Sequence, residues 1–276
     1  MLFSPQELDR WQQAIGQPPR TLRVPLVLGP QQVGSLEPQT WERLLPALAQ
    51  SGYAAERIIQ KTEQYCYIEY AMKPDFNENF ARVAAALAQA GVAGVWRNEC
   101  LPVRAPDGTL CAHVERGVVR VLGIATQAVH LVGWRSDGCL WLQQRAHNKA
   151  NDPGLWDTLM GGTVAGDETL QQTLVRETWE EAGLHLADLH DVRWGGRFTA
   201  TRHVPDGGGA GYMVEDTHWY TARVPDACVP CNQDGEVDHF EAWTPLQVVE
   251  AMRAGRFTLE ACWVLSQVLM AQAEGG

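Results

Sequence analysis

Positive charge is scarce in this chain, and long apolar runs are missing. Its 276 residues carry 22 Lys and Arg against 33 Asp and Glu, a formal net charge of −11. A broad phosphate-binding surface needs clustered basic groups, so generic binding to nucleic acid or to an anionic membrane is not expected. A small anionic substrate, held by a few local basic groups and metal ions, stays open. No apolar run approaches the roughly 18 residues of a membrane span. The opening, MLFSPQELDRWQQAIG, has neither the basic start nor the apolar core of a secretory signal. A cytoplasmic protein is the expectation.

Cysteines are few and unpatterned. The seven, at 66, 100, 111, 139, 228, 231 and 262, are odd in number and scattered, which argues against a secreted disulfide framework. Cys228 and Cys231 form one C-x-x-C with His218 and His239 not far away in sequence. The second ligand pair of a structural zinc site is missing, so they read as loop thiols. The run from Asp206 to Gly211, DGGGAG, lacks the Gly-Lys-Ser/Thr ending of a phosphate-cradling loop and reads as a flexible connection. There is no internal repeat and no low-complexity linker.

Hydrophobic residues make up 45%, enough for one large core or two moderate ones. The eleven tryptophans read mostly as core and pocket walls, because large aromatics bury the most area. Residues 1–119 look like a smaller α+β unit. Helical periodicity runs over 40–51 and 77–90, with Asp75 or Asn77 as N-cap of the second. An extended run, Val95 to Ala105, then passes through a Pro106-Asp107-Gly108 turn into a strand. Arg97, Asn98 and Glu99 in that run read as an ion pair or turn. From 120 to 276 strands dominate: RVLGIATQAVHLVGW, CLWLQQR, YMVEDTHWYTARV and GEVDHFEAW. Two helices close the chain, the first with Thr244-Pro245 as its start and Gly255 as its stop, the second over 259–272. A mixed sheet flanked by helices accommodates these elements.

Chemistry concentrates between Gly162 and Leu184, in GTVAGDETLQQTLVRETWEEAGL. On a helix advancing 100° per residue, Leu170, Leu174, Val175, Thr178, Trp179 and Ala182 share one half. Glu177, Glu180 and Glu181 share the other, at i, i+3 and i+4. Like charges so spaced destabilise a helix by roughly 0.2–0.5 kcal/mol per pair. No Lys or Arg stands three or four residues from Glu177 or Glu181 to offset them, although Arg176 adjoins. Three isolated glutamates would read as a solvated face. An acidic concentration of this kind also suits a hard divalent cation.

The segment matches the Nudix box at Gly162, Glu168, Arg176, Glu177, Glu180, Glu181, Gly183 and Leu184, and departs from it only at Thr178, where an aliphatic is usual. The chain therefore resembles the Nudix hydrolases, which implies an α+β Nudix fold: a mixed β-sheet sandwiched between helices, here preceded by the smaller α+β domain. Further segments extend the likeness: WRNE (96–99), residues 115–134, Arg145, Lys149, Pro153-Gly154 and Asp157, DGEVDHFEAW and AGRFTLEACWVL. These resemble the subgroup related to the Nudix domain fused to thiamine pyrophosphokinase in some fungi. That resemblance implies hydrolysis of thiamine diphosphate, or of its oxo and oxy forms, to the monophosphate.

The chemistry implied is Mg²⁺- or Mn²⁺-assisted attack of water on a diphosphate. Glu177, Glu180 and Glu181 are the expected ligands, and the resemblance adds the Gly161 carbonyl. Glu177 or Glu236 would take the water proton, with Glu215 and Asp216 behind them. Arg176 would hold Glu177 or Glu168. Arg145 and Lys149 would grip the phosphates. Trp156, Trp194, Tyr212 and Trp219 are candidates to wall the organic half, each readable equally as core. Hydrolysis of ADP-ribose, nucleotide sugars or dinucleotides is the competing activity, and a non-catalytic ligand-binding protein the competing class. An isopentenyl diphosphate isomerase, which Arg145 to Gly154 also resembles, would need a cysteine near Gly161, and none lies between Cys139 and Cys228. The oligomeric state stays open, a homodimer among the options.

Overall fold

The structure, a computed structural model, describes residues 2–28, 30–50, 59–61, 66–68, 76–149 and 151–275. Helix α1 (Pro5–Ile15) begins with a reciprocal cap in which the Ser4 side chain accepts from the Glu7 amide and the Glu7 carboxylate accepts from the Ser4 amide. Four strands follow, β1 (Val24–Leu28), β2 (Gln31–Leu36), β3 (Ile59–Lys61) and β4 (Cys66–Ile68), in the sheet order β2-β1-β4-β3. Helices α2 (Pro38–Gln50) and α3 (Phe76–Gln89) occupy the positions their periodicity predicts. Of the two N-cap candidates for α3, Asp75 lies outside the described residues. Asn77 stands inside the helix and accepts from the His113 amide at 2.7 Å.

The extended run and turn form a hairpin of β5 (Cys100–Arg104) and β6 (Leu110–Glu115), followed by the short α4 (Arg116–Val119). One core joins these pieces, with Leu26, Leu44, Phe80, Leu87, Val114 and Leu122 among its members. Arg97 to Glu99 behave as an ion pair and a turn: Glu99 pairs with Arg116 at 2.8 Å, and Asn98 has a left-handed φ of 55°.

The larger sheet runs β11 (His190–Val204), β12 (Gly211–Arg223), β7 (Ala125–Trp134), β8 (Leu140–Arg145), β13 (Val237–Trp243). Two short strands, β9 (Trp156–Asp157) and β10 (Met160–Thr163), pair with β8 and β7. The sheet is mixed, since β12 and β7 run parallel while the other pairs are antiparallel. Alternation along β7 sends Val129 and Leu131 to one face, against Leu174 and Ala182 of the acidic segment. Val132 faces the other side, where α6 (Pro245–Arg253) and α7 (Leu259–Gly275) pack. Helix α5 (Leu170–Glu180) thus covers one face, and α6 and α7 the other, as the predicted sandwich requires.

Helix α1 also reaches this second layer. Phe3 and Trp11 meet edge to face at 5.3 Å and share a core with α6 and α7. The smaller unit is stitched to the sheet unit through polar contacts as well. The Ser35 amide donates to the Leu122 carbonyl, and the buried Arg23 guanidinium donates to the carbonyls of Ser35, Val121 and Ala210. Among the described residues no helix is long and apolar enough to cross a membrane.

Candidate active site

Thr169 starts α5 by accepting from the Gln172 amide, and Gln172 reaches back to complete the cap. The buried stripe differs from the predicted one. Thr173, Leu174, Thr178, Glu181 and Ala182 face the core, whereas Val175 and Trp179 are 49% and 44% exposed. Trp179 stacks instead on His185, with centroids 4.5 Å apart. The physical reason is Glu181. Turning the helix this way buries its carboxylate beneath β10, where Oε2 accepts from the Gly161 amide at 2.9 Å and from Gln143 Nε2 at 3.0 Å. Two donors offset part of the cost of burying that charge. Thr178 fits the same stripe because its hydroxyl donates to the Leu174 carbonyl at 2.6 Å, leaving no unpaired polar atom.

Arg176 is the centre of the acidic cluster. Its Nε and Nη2 clasp both oxygens of Glu168, at 2.7 and 2.9 Å, while Nη1 donates to Glu177 Oε1 and Glu180 Oε2, each at 2.8 Å. The two partners expected for it are both engaged, and Glu180 is a third. These bonds hold the Glu168 carboxyl below its usual range and keep the guanidinium firmly protonated. Glu177 is pushed up, first by burial, against the pull of Arg176. Glu181 is pushed up to about 8, again first by burial, with the neighbouring Glu177 charge adding to it.

Both glycines of the strand before the helix are required by these contacts. A Cβ on Gly162 would overlap the Glu177 carboxyl group, and one on Gly161 would stand 2.8 Å from His130 Cε1. Lys149 and Glu236, predicted from separate segments, are brought together as an ion pair. The Glu236 charge acts on Glu177 and the Lys149 charge on Glu181, so this pair borders the acidic cluster.

The Arg145 side chain has other partners. It is mostly buried, donates to the Asn151 carbonyl at 3.2 Å and lies 3.5 Å from Asp157. Asp157 is buried and accepts from the Thr158 amide and the Thr258 hydroxyl, with His130 Nδ1 3.5 Å away. This His130–Asp157–Arg145 network was not visible in the sequence, because the β8–β9 and β7–β10 registers assemble it.

Glu215 accepts from Thr126 at 3.3 Å, and Asp216 from Thr199 at 2.6 Å. Glu215 lines a cavity of about 140 Å³ beside the box, together with Thr163, Thr126, Asn151, Arg120 and Arg97. Arg97, read from the sequence as part of an ion pair or turn, thus also lines this cavity, as does Thr163, which the sequence did not single out. Of the four aromatic candidates, Trp156, Tyr212 and Trp219 are core residues, and Trp194 is 59% exposed on the β11–β12 hairpin. Cys228 and Cys231 are free thiols, and the Cys231 amide donates to the Ala182 carbonyl at the end of the box.

Among the described residues no three His, Cys, Asp or Glu side chains converge as a finished metal site. Arg176 accounts for part of this, since it holds one oxygen each of Glu177 and Glu180. The donor set nonetheless suits a hard cation. It offers carboxylates only, one of them a buried acid whose ionisation is opposed by its surroundings and would be favoured by a nearby positive charge. The Gln143 Oε1 atom beside it is buried without a partner.

Residues 125–260 match the NUDIX domain family. The chain is 29% identical over 194 residues to "Nudix hydrolase 24, chloroplastic" of Arabidopsis thaliana, covering 66% of this chain and 50% of that protein. It is 27% identical over 258 residues to "Nudix hydrolase 20, chloroplastic" of the same plant, covering 87% of this chain and 65% of that one. The chain thus spans between half and two thirds of the length of these relatives. Among solved structures, DR0079 of Deinococcus radiodurans aligns with 61% of this chain and 98% of its own, at 19% identity and a TM-score of 0.49.

Proposed function

We propose that the protein, whose residues 125–260 match the NUDIX domain family, is a metal-dependent diphosphohydrolase acting on a small cofactor-like substrate. The observation that carries this is the Arg176 cluster: one guanidinium orients Glu168, Glu177 and Glu180 while Glu181 is fixed under Gly161. Glu177, Glu180 and Glu181 would hold Mg²⁺ or Mn²⁺, and the Gly161 carbonyl would join them by resemblance. The chemistry such a cation supplies is neutralisation of phosphate charge and a lowered pKa for water.

The chain's own residues do the rest. Arg176 occupies Glu177 Oε1 and leaves Oε2 to accept a proton from the attacking water. Glu236, paired with Lys149, is the second acceptor. Lys149 grips the substrate phosphate as a point charge, and Arg97, in the wall of the small cavity, offers a fork for the far end of the substrate. Arg145 braces Asp157 and through it the strand that carries Gly161.

For the substrate we propose thiamine diphosphate or its oxo and oxy forms, on the subgroup resemblance alone: residues 96–99, 115–134, Arg145, Lys149, Pro153-Gly154, Asp157, 234–243 and 254–265. ADP-ribose and other nucleotide diphosphates are the competing class. A reducing compartment such as the cytoplasm is the reading that the free cysteines support. The deciding experiment is Mg²⁺-dependent product analysis with oxothiamine diphosphate, thiamine diphosphate, ADP-ribose and isopentenyl diphosphate in parallel. Release of phosphate and a thiamine monophosphate-type product, lost in Glu177→Gln, supports the full proposal. Turnover of ADP-ribose alone keeps the hydrolase and removes the substrate. Binding without turnover of any of them would make the protein a ligand binder.

A further inference from the structure

One concavity among the described residues lies away from the acidic helix. A cavity of about 500 Å³ lies where the smaller unit meets the turn between β11 and β12, and no box residue lines it. Arg20, Glu37 and Arg43 form one wall, His203 and the glycines 207–209 the other. In a chain with a net charge of −11, this gathering of arginines is the reverse of the overall balance.

The charges here are not spent on each other. Glu37 accepts from the Thr21 hydroxyl at 2.6 Å and stands 3.9 Å from buried Arg23, so its charge is already answered. Arg43 gives one Nη2 bond to the Ala90 carbonyl, its one hydrogen bond among the described residues, and carries further donors. Among the described residues the Arg20 guanidinium has no hydrogen-bond or ion-pair partner, while its backbone amide donates to His203 Nε2 at 2.6 Å. That bond fixes the neutral imidazole with its proton on Nδ1, a further donor.

The opposite wall is bare backbone. Gly207, Gly208 and Gly209 have φ of 64°, 71° and 96°, a run of left-handed residues that glycine alone adopts readily. Gly207 is pinned against Val92 and Val121, but at Gly208 and Gly209 an added Cβ would meet nothing within 4 Å. Conformation, not space, keeps side chains off this wall, and a ligand can approach the main chain directly. The segment that reads as a flexible connection in sequence is a formed turn.

We propose that this cavity is a second ligand site, which takes a small molecule carrying a phosphate group. The volume suits a metabolite-sized ligand. Two guanidinium groups on one wall, with donors unused among the described residues, offer the positive charge and N–H forks that suit a phosphate. Occupancy would tie the smaller unit to the sheet unit, since the arginines come from one and the glycine turn from the other. The phosphate group has two possible sources, the product of the hydrolase site or a separate phosphorylated metabolite, and the inference holds for either.

The test uses the full chain carrying Glu177→Gln, in EDTA, titrated calorimetrically with inorganic phosphate and with ribose 5-phosphate. Saturable binding is expected, weakened about tenfold or more by Arg20→Gln and by Arg43→Gln and unchanged by Lys149→Ala. Hydrogen exchange should slow at residues 203–210 when ligand is added, a readout that needs no substitution. Tighter binding of inorganic phosphate points to product, and tighter binding of the sugar phosphate to a separate metabolite. The inference is overturned by absence of binding up to about 10 mM of both probes. It is equally overturned by binding that survives both arginine changes and disappears in Lys149→Ala.

Discussion

Gly162 lacks a side chain because Glu177 occupies the place where one would be: a Cβ there would overlap the Glu177 carboxyl group. The first glycine of the motif and its central glutamate are therefore one steric unit, linking β10 to α5. The glycine's φ is not in the left-handed region, so the requirement is one of space. Gly162→Ala should displace Glu177 from Arg176 while leaving the core intact. The expected loss in Mg²⁺-dependent turnover is about 10- to 100-fold, the range seen when groups that orient metal ligands are disturbed. A melting temperature close to that of the parent protein, beside that loss, is the signature; unchanged turnover would show that Glu177 can relocate freely.

Arg176 gathers three carboxylates with four close bonds, and a lysine cannot reproduce that fork. Arg176→Lys keeps the charge and loses the bidentate clasp on Glu168. Urea titration should report a loss of about 2 kcal/mol, the scale of a partly buried charged hydrogen bond. Activity should fall with it, because Glu177 and Glu180 lose their common anchor. Full stability in the lysine variant would mean that charge alone organises the cluster.

Thr178 is the one departure from the motif, and its hydroxyl bonds back to the Leu174 carbonyl inside the same helix. That carbonyl belongs to the helix ladder, so removing the hydroxyl leaves no orphaned group. Thr178→Val should hold stability within about 1 kcal/mol, on the stabilising side, and leave turnover unchanged. A clear loss of stability would instead mean that the hydroxyl has a partner beyond the helix.

The box was readable because its spacing fixes which residues meet, and the helix ends because Thr244 and Gly255 act locally. The rotation of α5 was not readable. Periodicity favoured Val175 and Trp179 for burial, yet the structure exposes them and buries Glu181 with Thr173, a preference set by donors on β8 and β10. Strand β11 was missed for a related reason. Its alternation is broken by irregular pairing around Arg193, Trp194 and Gly196, and much of it faces solvent. Helix α1 carried no signal for its destination, because its partners lie on α6 and α7, some 250 residues onward. Nothing local in the sequence signalled that Arg145, expected to grip phosphate, meets Asp157, a contact that β8–β9 pairing sets. Local chemistry was legible; long-range register was not.

The tie between the two ends of the chain gives a pH-dependent prediction. Glu7 accepts from Arg253 Nε at 2.6 Å and from the Ser4 amide at 2.7 Å. These bonds, the Arg253 contact foremost, hold its carboxyl at about 2. In the unfolded chain a glutamate titrates near ~4.3. The folded value is depressed, so the contribution to stability is complete above about pH 4.3 and drains away as pH falls toward 2. The pair is close to solvent, which limits its size and makes it sensitive to salt. Glu7→Gln should therefore be less stable than the parent at pH 7 in low salt, and the gap should narrow at about pH 2.5. Urea titrations of both proteins at the two pH values measure it directly. A gap of equal size at both would assign the Glu7 contribution to packing of α1, and not to its charge.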